Sequence, residues 1–235
     1  MNAADLPDGA YPGWLAPLAT SLLDAQRVQE VVAVRPGVGA RQAAVLVLVG
    51  LGAAGPEIVF IERASTMRTH AGQIALPGGS ADSDDTDPAD TALREAVEET
   101  GVERSGIVVL GSLPAAHVAV SGFDVTTVVG WWRAPSPVSA VDASEVASVH
   151  VISVGELADP ATRVQVRHPS GYTGPAFEVR GLLIWGLTAH LVDGVLNLAG
   201  WQLPWDRSRI ATIPKRYLSD RSDRAGRTYG GLDAH

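Results

Sequence analysis

The chain contains no cysteine and a single lysine, Lys215, and each scarcity excludes a class of function. Without cysteine there is no disulfide framework, no thiolate zinc site and no thiol nucleophile, which fits a cytoplasmic protein. With one lysine and a net charge of -8, the chain lacks the clustered basic surface that holds a nucleic-acid backbone. Long apolar runs are missing too: the most apolar stretch, 43–54, is too short to span a bilayer and is broken by Gly50 and Gly52. The first residues carry Asp5 and Asp8 and no basic region followed by an apolar stretch, so they do not read as a secretory signal. A cytoplasmic protein that engages neither nucleic acid nor membrane is expected.

What the chain does have is enough length and apolar content for one large domain: 235 residues, 46% of them hydrophobic. That domain is expected over 36–218, behind a partly helical extension over 1–35 and ahead of a polar, glycine-rich tail over 219–235. Residues 15–31 predict a leading helix that packs on the domain or on a second copy, which leaves a homodimer open. Apolar patterning predicts strands at 43–49, 57–62, 107–113, 125–132 and 146–152, and a helix over 182–198. The proline-containing stretch 133–139 lies between apolar strands and reads as a surface loop within the domain. Strands with few helices among them predict an α+β fold or a helix-sheet-helix sandwich.

The most informative segment is Arg94-Glu95-Ala96-Val97-Glu98-Glu99-Thr100-Gly101-Val102, which follows a Gly78-Gly79 pair and an aspartate-rich loop. Asp87 is a natural N-cap, Pro88 sits where its missing N–H costs nothing, and Gly101 supplies a left-handed stop. A helix over 88–100 is therefore predicted. On a helical wheel Ala89, Leu93, Ala96 and Val97 share the face expected to pack, and Glu95, Glu98 and Glu99 fall on the face expected to point outward. Each like-charged pair at this spacing costs about 0.2–0.5 kcal/mol, so the cluster calls for solvation or a compensating partner. Arg94 is adjacent, and Gly78 and Gly79 let backbone approach a ligand closely. Such carboxylates suit Mg²⁺ or Mn²⁺, which bind through a few carboxylates, waters and substrate phosphates. The acidic loop 82–87 is no EF-hand, because it lacks that motif's central glycine and closing glutamate.

These residues resemble the signature of the Nudix hydrolases: Gly, five residues, Glu, seven residues, then Arg-Glu-apolar-x-Glu-Glu-x-Gly-apolar. Here Gly79 is followed by five residues and Asp85, then by eight residues and the segment Arg94 to Val102, which matches at every defined position. The departures are Asp85 in the glutamate place and one added residue before the helix. Just upstream, a second pattern resembles the subgroup that hydrolyses coenzyme A: Leu-Leu-Thr-x-Arg-(Ser/Ala), three residues, Arg, three residues, Gly, three residues, Phe-Pro-Gly-Gly. The chain has Val59-Phe60-Ile61-Glu62-Arg63-Ala64, then Arg68, Gly72 and Leu76-Pro77-Gly78-Gly79, with every gap kept. Asp85 and the added residue also look like this subgroup. A weaker likeness runs through His168-Pro169-Ser170-Gly171 and Trp185-Gly186-Leu187, so that it covers about 43–205.

The resemblance implies a Nudix-type α/β/α sandwich with a mixed β-sheet. It also implies metal-dependent hydrolysis of the diphosphate in coenzyme A or an acyl-coenzyme A, giving 3′,5′-ADP and a phosphopantetheine. By position, Glu95, Glu98 and Glu99 would hold Mg²⁺ or Mn²⁺ with help from the Gly78 carbonyl. Arg94 would hold the glutamates in place, and Glu95 or Glu98 would take the proton of the attacking water. Arg63, Arg68, Gly72 and Gly79 would meet the substrate, arginine suiting phosphate because its planar fork donates two parallel hydrogen bonds.

Other residues divide between two readings. His70 and Gln73 lie at variable positions of the coenzyme A pattern and read as substrate contacts or as ordinary loop residues. Glu145, just ahead of the apolar stretch 146–149, reads as a further metal carboxylate or as an exposed strand-edge residue. His117, His168 and His190 carry no assignment, the serines lack a strand-turn-helix nucleophile setting, and the tryptophans are expected in the core. A Nudix hydrolase for another nucleotide, such as ADP-ribose, and a noncatalytic nucleotide sensor are the alternatives. Three mutually repelling carboxylates weigh against the sensor.

Overall fold

A computed structural model describes residues 11–32, 41–67, 69–118, 121–169 and 171–218. Its organising strand is β1 (Arg41–Gly52), whose apolar run is buried on both faces. Ala44, Leu46 and Leu48 point to one side of the sheet, Val47 and Val49 to the other, as a central strand requires. β1 pairs antiparallel with β2 (Gly55–Arg63) only from Val49 to Gly52, after which the two strands part. β7 (Val146–Ser153) takes the other edge of β2 along its length. The widening gap is therefore filled from within the chain: β3 (Ile74–Ala75) pairs with β2 and β4 (Gly78–Ser80) pairs with β1. The Pro77 carbonyl accepts from the Leu46 N–H at 2.8 Å and closes the wedge.

On the far side β1 pairs in parallel with β6 (Phe123–Trp132), and β5 (Ile107–Val118) runs antiparallel along β6 at the edge. The sheet is thus mixed. One face carries α3 (Pro88–Thr100), packed through Ala92, Leu93 and Ala96. The other carries α1 (Ala16–Leu22), α2 (Ala25–Val31) and α5 (Gly186–Leu198), with Leu15, Leu18 and Val28 in the same core as Val192 and Val195. This is the expected α+β, α/β/α layering.

Several expectations need correction. The single leading helix over 15–31 is two helices, because Asp24 caps a new one by accepting from the Arg27 N–H at 3.0 Å. The helix expected over 182–198 begins as a strand. β10 (Leu182–Ile184) returns along β9 (Thr173–Val179) through a two-residue turn at Arg180 and Gly181, with φ of 53° and 76°, and α5 starts only at Gly186. With β8 (Arg163–Arg167) and β11 (Ile210–Ala211) these strands form a second sheet, in the order β10-β9-β8-β11, that no sequence pattern had indicated. The short helix α4 (Val154–Ala158), closed by a Ser153–Glu156 capping box, leads from β7 toward it. Among the described residues no helix is long and apolar enough to cross a membrane. The expected tail, 219–235, lies outside the described residues.

Candidate active site

α3 has the bounds and caps expected: Asp87 Oδ1 accepts from the Asp90 N–H at 2.9 Å, and Gly101, at φ 69°, ends the helix with its N–H on the Val97 carbonyl. Its faces differ from the wheel. Val97 is exposed, whereas Glu99 is only 7% exposed. The packed stripe runs through Ala92, Ala96 and Thr100, and Glu99 flanks it on the side where β4 supplies a donor, the Gly78 N–H, at 2.9 Å. Gly78 thus meets the cluster through its amide N–H.

Arg94 organises the outer carboxylates. Its Nε and Nη2 donate to the two oxygens of Asp85 at 3.0 and 2.9 Å, and Nη1 donates to Glu95 and to Glu98, each at 3.0 Å. Nη2 also reaches the Ser80 carbonyl at 3.1 Å. These bonds hold the Asp85 carboxyl well below the usual carboxylate range and keep Arg94 charged. The pairing of Asp85 with Arg94 had no sequence expectation; its signal was only the spacing from Gly79.

The inner carboxylates are in the opposite state. Burial pushes the Glu99 carboxyl up to about 7, the Gly78 N–H and the Arg63 charge pull it down, and Glu95 and Glu145 push it further up. Burial likewise raises Glu95, offset in part by Arg94 and reinforced by Glu98 and Glu145. Glu145 and Arg63 therefore act on the site from the β2–β7 side, where the Ala64 N–H donates to the Glu145 carbonyl at 2.8 Å. Glu145 itself is exposed. Gly79 is needed where it stands: a Cβ there would come within 2.5 Å of Glu95 Oε1.

Glu95, Glu98, Glu99 and Glu145 are oxygen donors of the kind that could hold a hard divalent cation, which would relieve repulsion that Arg94 and Arg63 leave in part uncompensated. The side chains are not already gathered around one: among the described residues no three His, Asp or Glu side chains are arranged to hold a metal ion. Glu95 and Glu98 are turned to Arg94, and Glu99 to Gly78.

The coenzyme A pattern begins on β2 with Val59 to Arg63, passes through the loop 64–73 between β2 and β3, and ends at Leu76 to Gly79 where β4 begins; its middle returns to the sheet at Arg63. The Arg63 N–H donates to the Gln73 carbonyl and the Gly72 N–H to the Arg63 carbonyl, both at 3.0 Å. Gly72 has φ 67° and His70 φ 55°, so the loop reverses through left-handed residues. His70 is exposed and Gln73 half-buried. Arg68 lies outside the described residues. Among the other histidines, His117 pairs with Asp124 at 2.7 Å and His168 stacks on Trp185. Of the six tryptophans expected in the core only Trp132 is buried, at 4% exposure; Trp14, Trp131, Trp185 and Trp201 are half-buried against the two cores, and Trp205 is half-buried with the Arg163 guanidinium over its ring.

A family model described as the NUDIX domain matches residues 40–170. A protein of Cronobacter sakazakii named as an uncharacterized Nudix hydrolase, NudL, is 36% identical over 165 residues, spanning 67% of this chain and 82% of that one. The protein of the same name from Pectobacterium atrosepticum is 47% identical over 96 residues, spanning 41% of this chain and 49% of that one. Among solved structures, a Nudix hydrolase from M. smegmatis, RenU, aligns with a TM-score of 0.44 and 28% identity over 52% of this chain and 75% of that one.

Proposed function

From the premise that the chain belongs to the Nudix family, whose members hydrolyse diphosphate bonds, we propose that its substrate is coenzyme A or an acyl-coenzyme A. The observation that carries this reading is the run Arg63-Ala64, Arg68, Gly72 and Leu76-Pro77-Gly78-Gly79, with its spacing kept and the charge of its first arginine acting on Glu99. The products are 3′,5′-ADP and the matching phosphopantetheine, formed when water adds to one phosphorus and the bridging oxygen leaves with the other.

In this reading Glu95, Glu98 and Glu99 would hold Mg²⁺ or Mn²⁺, and Glu145, whose charge acts on Glu95 and Glu99, would add a further carboxylate. Such an ion, when bound, would supply charge neutralisation at the phosphates and a lower pKa for the attacking water. Arg94 orients Glu95 and Glu98, so that either takes the proton of that water, and Arg63 offers a planar donor to the diphosphate. Gly79 leaves room for the Glu95 carboxylate. Loop 64–73 forms the wall that meets the nucleotide.

Mass spectrometry of products tests this. Purified protein is incubated with coenzyme A, acetyl-coenzyme A, ADP-ribose, NADH and nucleoside triphosphates, with Mg²⁺ or Mn²⁺ and an EDTA control. Metal-dependent 3′,5′-ADP from the coenzyme A compounds supports the proposal. Cleavage confined to another nucleotide keeps the chemistry and discards the substrate, and ligand binding without cleavage of any would point to a sensor.

A further inference from the structure

A segment far along the chain reaches the loop 64–73: the 3-10 turn Lys215–Tyr217. Tyr217 is 5% exposed and belongs to the core of the second sheet with Val164, Val166 and Ile213. The edge of its ring lies against Gly72, where an added Cβ would sit 3.8 Å from Tyr217 Cε1. Because the Gly72 N–H is bonded to the Arg63 carbonyl, the turn meets the loop where the loop returns to the active site. Arg216 stacks over the Tyr217 ring at 4.7 Å and donates through Nη2 to Tyr217 Oη at 3.3 Å, so its guanidinium is oriented by a side chain that is itself fixed. Lys215 and Arg216 are exposed, and Lys215 is the one lysine in the chain.

Charge gives this arrangement a purpose. A chain of net charge -8 that binds a polyanion needs cations placed locally. In the coenzyme A reading Arg63 and a bound ion would answer the diphosphate, and a separate phosphomonoester on the nucleoside would need cations of its own. We infer that Lys215 and Arg216 are specificity-determining residues that take such a phosphomonoester, delivered to the loop by the second sheet through Tyr217. The inference rests on the coenzyme A reading above and adds the group that separates coenzyme A from nucleotides lacking a 3′-phosphate. An oriented guanidinium and a mobile ammonium together suit a dianionic phosphate.

The test compares coenzyme A with dephospho-coenzyme A, which differ only in the 3′-phosphate, using the full chain and a Lys215→Ala/Arg216→Ala variant. The wild type is expected to prefer coenzyme A in kcat/KM, and the variant to reduce that preference about tenfold or more through KM, the scale of losing charge-assisted bonds to a phosphate. Arg216→Lys keeps the charge and should retain part of the preference. Calorimetry in EDTA gives a readout independent of turnover: 3′,5′-ADP should bind the wild type more tightly than AMP does, and the variant should lose the difference. Equal losses on both substrates, or an unchanged preference, would overturn the inference while leaving the coenzyme A reading intact. Failure of the wild type to cleave either compound would overturn both.

Discussion

Arg94 grips Asp85 by two parallel hydrogen bonds, at 3.0 and 2.9 Å, and turns its remaining nitrogen to Glu95 and Glu98. The acidic loop before α3 thereby braces the arginine. Removing the brace in Asp85→Ala should lower turnover about 10- to 100-fold, the usual scale for groups that orient metal-binding residues, with a matching rise in the Mn²⁺ concentration required. Asp85→Glu, which keeps a carboxylate in reach, should retain most of the activity. Steady-state kinetics over a metal titration decides it, and a fully active Asp85→Ala protein would remove the loop from the site.

The adjacent glycines 78 and 79 should fail differently. A Cβ on Gly79 meets the movable end of Glu95, so Gly79→Ala should fold nearly as well as the parent and lose about tenfold or more in turnover as that carboxylate is displaced. A Cβ on Gly78 would overlap the backbone of Ala44 and Val45, and φ there is 153°, so Gly78→Ala should cost on the order of 3 kcal/mol. Thermal melts beside activity assays separate the two.

Glu99 predicts a pH dependence for the metal-free protein. Its carboxyl ionises at about 7 in the folded chain against 4.5 ordinarily, because burial penalises the charge. That penalty is absent below about 4.5 and complete above about 7, so the native state loses stability at this residue as pH rises through that window. In EDTA at pH 8, Glu99→Gln should therefore be more stable than the parent by roughly 1–3 kcal/mol, and the difference should vanish near pH 4.5. With Mg²⁺ the same variant should lose at least about a hundredfold in turnover. Urea denaturation at the two pH values checks the first part; a variant less stable at both would refute it.

Arg163 makes a separate prediction about the second sheet. It is fully buried, lies between the rings of Phe177 and Trp205 at 4.6 Å from each, and has Asp193 as its ion-pair partner. Its Nε and Nη1 make no hydrogen bond with the protein, and burial lowers its pKa. Asp193→Ala leaves that charge stranded and should cost about 3 kcal/mol, whereas Arg163→Met, which refills the slot with an apolar chain, should cost less. Denaturation midpoints in guanidinium chloride order the two; the reverse order would show that the ring contacts, not the ion pair, hold Arg163.

How much of this was readable from the sequence depends on the range of the contact. α3 was legible to the residue because its stop and start, Asp87, Pro88 and Gly101, are local chemistry. The five long strands of the first sheet, β1, β2, β5, β6 and β7, were legible from apolar runs, and the short β3 and β4 were not. The burial of Glu99 was not, because it depends on Gly78 arriving from a strand that exists only where β1 and β2 part. The second sheet escaped because its strands are short and carry Arg163, Gln165 and Glu178 among apolar residues, and because Leu182-Leu183-Ile184 reads equally as the first turn of α5. The turn signal that would have separated them, Arg180-Gly181, is visible only once β9 is recognised.

The closing of loop 64–73 on the two backbone groups of Arg63 has a consequence for how such a protein changes over time. A segment whose ends meet at one residue can be lengthened, shortened or rewritten without moving β2, β3 or the glutamates. On the coenzyme A reading proposed above, hydrolytic machinery and appetite for a particular nucleotide are then separable inheritances: a lineage can trade one substrate for another by editing the loop, while the residue that clasps it keeps its charge acting on Glu99.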